Sequence, residues 1–257
     1  MSKIVIPLNS YSQTEITIEE YSQFFQIIKE SGAYGIEIRR ELLSPQTPKL
    51  EWIRSSVADD LFIVYSAPFP LWLDDGALNE NGLKRVYNEA QTVNAQWIKL
   101  SLGNYREEVS DLIHLREVIE SQSPYKIQLV VENDQTEVGG NIQRFKTFFE
   151  QVDQQALPIK MTFDSGNWLY TGQDPFGAWE ALSSYVIYLH LKQVIQQDGQ
   201  LETIPLSLNA QSMWVPFVKA LPDECVIALE FPIFPLQKTK TFVEMIEEIK
   251  GDLICNK

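Results

Sequence analysis

The chain has 257 residues, with 35 Asp and Glu against 21 Lys and Arg, for a formal charge of −14. Such an acidic molecule repels polyanions and lacks the basic field that displaces phosphate counterions, which argues against a nucleic-acid partner. No apolar run approaches the roughly 20 residues that cross a bilayer, and the opening MSKIVIPLNSYSQ has no signal-type apolar core, so a cytoplasmic protein without a membrane partner is expected.

Taken in chain order, eight aliphatic and β-branched segments are predicted as buried strands: Ile4–Leu8, Gly35–Arg39, Leu61–Ser66, Trp97–Leu102, Ile127–Glu132, Ile159–Asp164, Val186–His190 and Val226–Glu230. Helical spacing fills the intervals, over Ile18–Ser31, Glu51–Ala58, Asn81–Val93, Glu107–Glu120, Ile142–Val152, Trp179–Ser184, Ser212–Leu221 and Phe242–Ile249. Alternation of this kind makes a parallel sheet, either open or closed, and eight repeats favour closure. No G-x-G-x-x-G follows the first strand, where IPLNSYSQTEIT stands, which weakens a dinucleotide-binding reading. The prediction is an α/β fold, a (β/α)8 TIM barrel, with residues 1–257 forming one domain. Cys225 and Cys255 allow at most one bridge and no zinc knuckle, and Cys225 reads as core.

Barrel active sites lie at the strand C-termini, and strand residues alternate between interior and exterior. In IQLVVE, Glu132 shares phase with Gln128 and Val130, and in IKMTFD, Asp164 shares phase with Lys160 and Thr162. In VIYLHLK, His190 is assigned the phase of Val186, Tyr188 and Lys192, and in VIALE, Glu230 that of Val226 and Ala228. Four consecutive strands thus deliver Glu132, Asp164, His190 and Glu230 to one rim, at separations of 32, 26 and 40 residues that each suit one βα repeat. Three carboxylates converging in a low-dielectric mouth repel one another unless protonated or bridged by a cation, so one divalent metal is expected. An oxygen-rich set with one imidazole suits Mn²⁺, Mg²⁺ or Co²⁺ and also accommodates Zn²⁺. Taken alone, Asp164 in DSGN is equally a helix cap.

The motifs GIEIRRE, VEND, FDSGN, YLHLKQ and ALEF, in this order and spacing across nearly the whole chain, resemble the xylose-isomerase-like barrels, the sugar isomerase and epimerase superfamily. The resemblance implies metal ligation by Glu132, Asp164, His190 and Glu230, with Glu132 and Glu230 doubling as the catalytic acid–base pair. It implies a small-molecule carbohydrate or hydroxy-carbonyl substrate, isomerised or epimerised by proton transfer through an enediolate. An inosose-type dehydratase acting on a polyol and a non-catalytic barrel that binds sugar or metal are the alternatives.

Three positions depart from the family pattern: Ser66 and Asn167 stand where many relatives carry histidine, and Gln193 where many carry aspartate. Candidate substrate-binding residues are Glu37, Arg39, Ser66, Asn167 and Lys192, and Trp72 and Trp168 are candidates to wall the mouth. Glu37 and Arg39 read almost as well as an in-strand ion pair beside Arg40 and Glu41, and Lys192 as an ordinary exposed strand-end lysine. His114, inside a helical pattern, reads as a solvated or packing residue. With only two histidines, the chain lacks the ligands of the trinuclear zinc site in endonuclease relatives. The basic pair Lys238 and Lys240, with no glycine-rich phosphate loop after the seventh strand, favours an unphosphorylated substrate. A homo-oligomer is compatible with the sequence.

Overall fold

A computed structural model describes residues 2–43, 49–122, 126–207 and 212–255, with side chains through residue 251, which leaves the side chain of Cys255 outside the described set. Its strands are β1 Lys3–Pro7, β2 Gly35–Arg39, β3 Phe62–Trp72, β4 Trp97–Gly103, β5 Gln128–Glu132, β6 Ile159–Asp164, β7 Val186–Leu191, β8 Gln193–Gln197, β9 Gln200–Ile204 and β10 Val226–Leu229. The helices are α1 Ile18–Glu30, α2 Leu50–Ser56, α3 Glu80–Thr92, α4 Leu112–Ser121, α5 Ile142–Gln154, α6 Asn167–Tyr170, α7 Pro175–Leu182, α8 Trp214–Ala220 and α9 Lys238–Cys255. Eight strands, all but β8 and β9, pair in parallel and close into a barrel in the order β1-β10-β7-β6-β5-β4-β3-β2. The protein is a (β/α)8 TIM barrel.

Local chemistry sets the helix starts. Thr17 and Glu20 form a reciprocal capping box at α1, while Asn79, Asp111, Asn141 and Asp174 cap α3, α4, α5 and α7 through side-chain oxygens. The Asp111 cap explains why α4 begins at Leu112 rather than at Glu107, where apolar spacing alone starts the helix.

Alternation then sorts the strand residues. Outward residues such as Ile36, Ile38, Leu129, Val131, Met161 and Phe163 join the helices in one large core. Val5, Val64, Val130, Tyr188, Val226 and Ala228 fill the barrel interior, with Phe62, Trp97 and Ile187 packed against them. One phase assignment is corrected here. The β6–β7 register slips between Met161↔Val186 and Thr162↔Tyr188, so Val186 lies with the outer core while Tyr188 and His190 point inward. The bulge re-aims the strand below the functional residue and leaves His190 opposite Asp164.

Two features were absent from the sequence reading. β3 continues past Ser66 to Trp72, and β8 and β9 form an antiparallel hairpin after β7. The hairpin turn is Asp198-Gly199, both with positive φ (50° and 82°), which is the chemistry of a tight hairpin turn. No helix among the described residues is long and apolar enough to cross a membrane.

The β3 extension packs tightly on the end of β4. Gly103 has φ +70°, and a Cβ there would lie 2.1 Å from the Trp72 carbonyl oxygen and 2.6 Å from Pro70 Cβ. Gly103→Ala is therefore expected to cost about 1–3 kcal/mol of stability, combining the left-handed penalty with the clash. A melting temperature equal to that of the parent protein would refute this account of the β3–β4 rim.

Candidate active site

The rim at the strand C-termini carries a continuous ionic network. β5 ends on Glu132, β6 on Asp164, His190 is the fifth residue of β7, and Glu230 directly follows β10. One ligand-type atom from each of these four residues lies within 4.8 Å of the others. The four predicted metal-ligand residues therefore come together in space.

His190 is fully buried and held at both nitrogens. Its Nδ1 lies 2.6 Å from Glu230 Oε2 and 3.1 Å from Glu132 Oε1, while Nε2 lies 3.1 Å from Glu37 Oε2. The Tyr188 hydroxyl donates to the same Glu37 oxygen at 2.8 Å. Burial and the Lys99 ammonium oppose a charge on the imidazole, but Glu37, Glu132 and Glu230 outweigh them and push its pKa up to about 9.

Asp164 divides its two oxygens between roles. Oδ1 accepts from the backbone N–H groups of Gly166 and Asn167 at 2.9 and 2.8 Å, which is the cap expected for DSGN. Oδ2 faces the site, 2.9 Å from Lys192 Nζ. Burial pushes this carboxyl up to about 6, with Glu230 and Glu132 adding to the rise and Lys192 opposing it. The side chain of Asn133 brackets the Asp164 backbone, accepting from its N–H at 2.8 Å and donating to its carbonyl at 3.0 Å.

Three cations balance the carboxylates. Lys99, 1% exposed, donates to both oxygens of Glu132 at 2.8 Å and lies 3.1 Å from Glu37 Oε1. Arg39 Nη1 bridges Glu37 at 2.9 Å and Glu230 at 3.0 Å, and its Nε reaches Glu41 at 2.7 Å. Lys192 Nζ also lies 3.3 Å from Glu230 Oε2 and donates to Asn167 Oδ1 at 3.1 Å. Burial disfavours ionisation of Glu37 and Glu230, yet the surrounding cations hold both carboxyls below the usual range. Asn9 adds a 2.8 Å hydrogen bond to Glu230 Oε1.

The candidate substrate residues separate on this geometry. Arg39 and Lys192 border this cluster of carboxylates at 15% and 12% side-chain exposure. Glu37 is wholly buried and engaged with His190, Tyr188, Arg39 and Lys99 beneath the rim. Ser66 is buried on β3, in register with Arg39 and Lys99. Asn167 is buried, donating to the Asn133 carbonyl and accepting from Gln135 and Lys192, so it braces the β5 and β6 loops. Gln193 is bound to Ser207 across the base of the hairpin.

Trp72 and Trp168 do not wall the mouth. Both have 0% exposure and lie in the outer core, Trp72 against Tyr105 and Trp168 against Phe145 and Phe163. His114 is a surface residue paired with Glu80 at 3.0 Å.

Sequence reasoning missed Lys99, Asn9 and Tyr188 as partners of the site. For Lys99 the signal was present, because a lysine in phase with Ser101 inside the buried strand WIKLSLG must find an internal anion. Asn9 lies in the single 3-10 turn Leu8–Ser10 that follows β1, and nothing local in the sequence distinguishes it from an ordinary turn residue.

The backbone is similar to that of a xylose isomerase domain containing protein from Salmonella typhimurium LT2, at 15% identity over 96% of this chain and 97% of that one, with a TM-score of 0.73. It is also similar to an L-ribulose 3-epimerase, at 14% identity over 99% and 98% of the two chains and a TM-score of 0.69. A third solved structure, the IolI protein with a zinc atom bound, matches at 11% identity over 99% and 98%, with a TM-score of 0.68. No family model and no curated protein matches the sequence. The chain shares the (β/α)8 barrel fold of these proteins.

Two outcomes test the electrostatics. Lys99→Met leaves Glu37 and Glu132 facing each other without their shared cation and is expected to cost about 3–5 kcal/mol, the usual penalty for breaking a buried pair from one side. A loss below about 1 kcal/mol in denaturant titration would mean that Lys99 is not structural. The His190 pKa is raised in the fold, so its contribution to stability is complete below the unfolded value of about 6.5 and disappears as pH rises through about 9. Chelator-treated protein should thus melt at a lower temperature at pH 9.5 than at pH 6.5, and His190→Gln should flatten that difference. An equal pH dependence in the variant would remove His190 as its source.

Proposed function

We propose that the protein is a divalent-metal-dependent isomerase or epimerase of a small sugar or hydroxy-carbonyl compound, with Glu132 and Glu230 as its acid–base pair. The observation that carries the reading is the arrangement around His190. Glu37 and Tyr188 anchor the Nε2 side from below, leaving Nδ1 directed at Glu132 and Glu230. A ligating histidine whose second nitrogen is held by a carboxylate is the usual support for a metal-binding imidazole.

The donor set fits such an ion. Glu132, Asp164, His190 and Glu230 offer three carboxylates and one imidazole, suited to Mn²⁺, Mg²⁺ or Co²⁺ and also to Zn²⁺. A proton on His190 and the Lys192 ammonium already satisfy part of this demand for positive charge. A bound divalent ion supplies Lewis acidity, polarising a carbonyl and its neighbouring hydroxyl so that the intervening C–H becomes acidic.

The chain's own groups then move the proton. Glu132, at the end of β5, and Glu230, just after β10, both meet His190 and keep 14% and 7% of their side chains exposed. Lys99 fixes the orientation of Glu132, while Arg39 and Asn9 fix Oε1 of Glu230. One carboxylate removes the proton, and the other, once it has taken a proton from solvent, returns that proton to the substrate. Cation-held carboxylates are weak bases, so the chemistry depends on the acidified C–H.

The engagement of both Glu132 oxygens by Lys99 also supports a second reading, a barrel that binds without turnover. Incubation of Mn²⁺-loaded protein in D₂O with a panel of ketoses and aldoses separates the two. An isomerase or epimerase should place deuterium on the carbon beside the carbonyl, and a dehydratase should lose water as well. Glu230→Gln should slow exchange by about 10²–10⁴-fold, the range for losing a general base, with a smaller effect on metal retention. Asp164→Ala should remove bound Mn²⁺. A hydride shift would give product without label, so products are followed in parallel. If neither label nor product forms across the panel in metal-loaded protein, the catalytic reading fails.

A further inference from the structure

Lys192 directly follows β7 and enters the site from the side of the hairpin. Its ammonium has three partners among the described residues: Asp164 Oδ2 at 2.9 Å, Asn167 Oδ1 at 3.1 Å and Glu230 Oε2 at 3.3 Å. Both carboxylates belong to the candidate cage, and Glu230 Oε2 is the same oxygen that meets His190 Nδ1. The ammonium thus draws on the oxygens a divalent ion would use. Two cations competing for the same carboxylates in a low-dielectric interior repel strongly, so a metal at these oxygens must dislodge the ammonium.

A displaced Lys192 would keep Asn167 and lose both anions. Among the described residues no other anion is in place for it. Arg39 and Lys99 already engage Glu37, Glu41, Glu132 and Glu230, and no further carboxylate among the described residues lies within ion-pair distance of Lys192. Its side chain is 12% exposed, so its remaining outlet is the mouth where substrate enters. A buried lysine deprived of its anions is costly, and a neutral sugar would leave that cost uncompensated.

We propose that Lys192 is a resident competitor for the metal cage and, once displaced, the anchor for an anionic group on the substrate. Metal and an acid-bearing hydroxy-carbonyl compound then bind cooperatively, each removing a penalty the other would face alone. This inference rests on the metal-cage reading and narrows its substrate class.

The test is calorimetric titration of Mn²⁺ into the chelator-stripped full chain, wild type and Lys192→Met. Each is measured alone, with glycolate, with the neutral isostere glycolamide and with inorganic phosphate, correcting for metal bound by the additive. Lys192→Met should bind Mn²⁺ at least about tenfold more tightly than wild type, the low end of the coupling between close buried charges. Glycolate should tighten Mn²⁺ binding in wild type by a similar factor, glycolamide should not, and neither should act in the variant. Phosphate matching glycolate would show an anchor that takes carboxylate and phosphoryl groups alike, while glycolate acting alone would assign it to a carboxylate. Lys192→Gln serves as a second uncharged variant should Lys192→Met melt early. Equal or weaker Mn²⁺ binding in folded variants overturns the competitor role. An equal effect of glycolate and glycolamide, or of glycolate in wild type and variant, overturns the anchor role. If neither wild type nor the folded variants bind Mn²⁺, the cage reading itself fails and takes this inference with it.

Discussion

The contact on which the rest of the site depends is Glu37 beneath His190. A carboxylate with no exposure is tolerable only when every oxygen is engaged, and Glu37 meets that condition with Lys99, Arg39, Tyr188 and His190. These contacts restrict the imidazole ring and direct Nδ1 toward Glu132 and Glu230. The same carboxylate therefore anchors the floor of the site and aims its only imidazole, which couples the stability of the interior to the geometry of the rim.

Barrel topology makes this network possible. Glu37, Lys99, Glu132, Asp164 and His190 lie on five different strands, with Glu230 immediately after a sixth, and parallel register brings them together at one end. The layer below is apolar, built around Val5, Val64, Val130, Tyr188, Val226 and Ala228. A low-dielectric floor of this kind strengthens every charge interaction above it and raises the cost of leaving any of them unpaired. The β6–β7 slip shows the same priority, since a bulge low in the strand preserves the pairing of Asp164 with His190 at the top.

The eight barrel strands and the four rim residues were legible because they depend on local alternation and on βα spacing, both written along the chain. Gly35–Arg39 and Ile159–Asp164 have the predicted limits. Local sequence does not mark residues whose environment comes from distant segments. Trp72 and Trp168 are large aromatics near strand ends, and the core formed by α5 and the β3–β4 rim buries them. The inward partner of β7 could not be assigned from alternation, because a bulge breaks the period without a local marker. The hairpin at Asp198-Gly199 did have one, but its strands are only partly buried and carry polar residues that mimic a loop.

Asn167 and Gln193 also acquire physical meaning in the assembled site. Asn167 does not present a free amide to the mouth: its donor holds the Asn133 backbone, and its acceptor holds Gln135 and Lys192. Asn133 in turn fixes the backbone of Asp164, so β5, β6 and the start of α6 are locked through two amide side chains. An imidazole at position 167 would offer two ring nitrogens in place of an amide that donates to one backbone and accepts from two side chains. Asn167 is thus a neutral brace that accepts from the Lys192 ammonium. Gln193 is likewise neutral and bonds to Ser207 at the base of the hairpin, beside the charged Lys192.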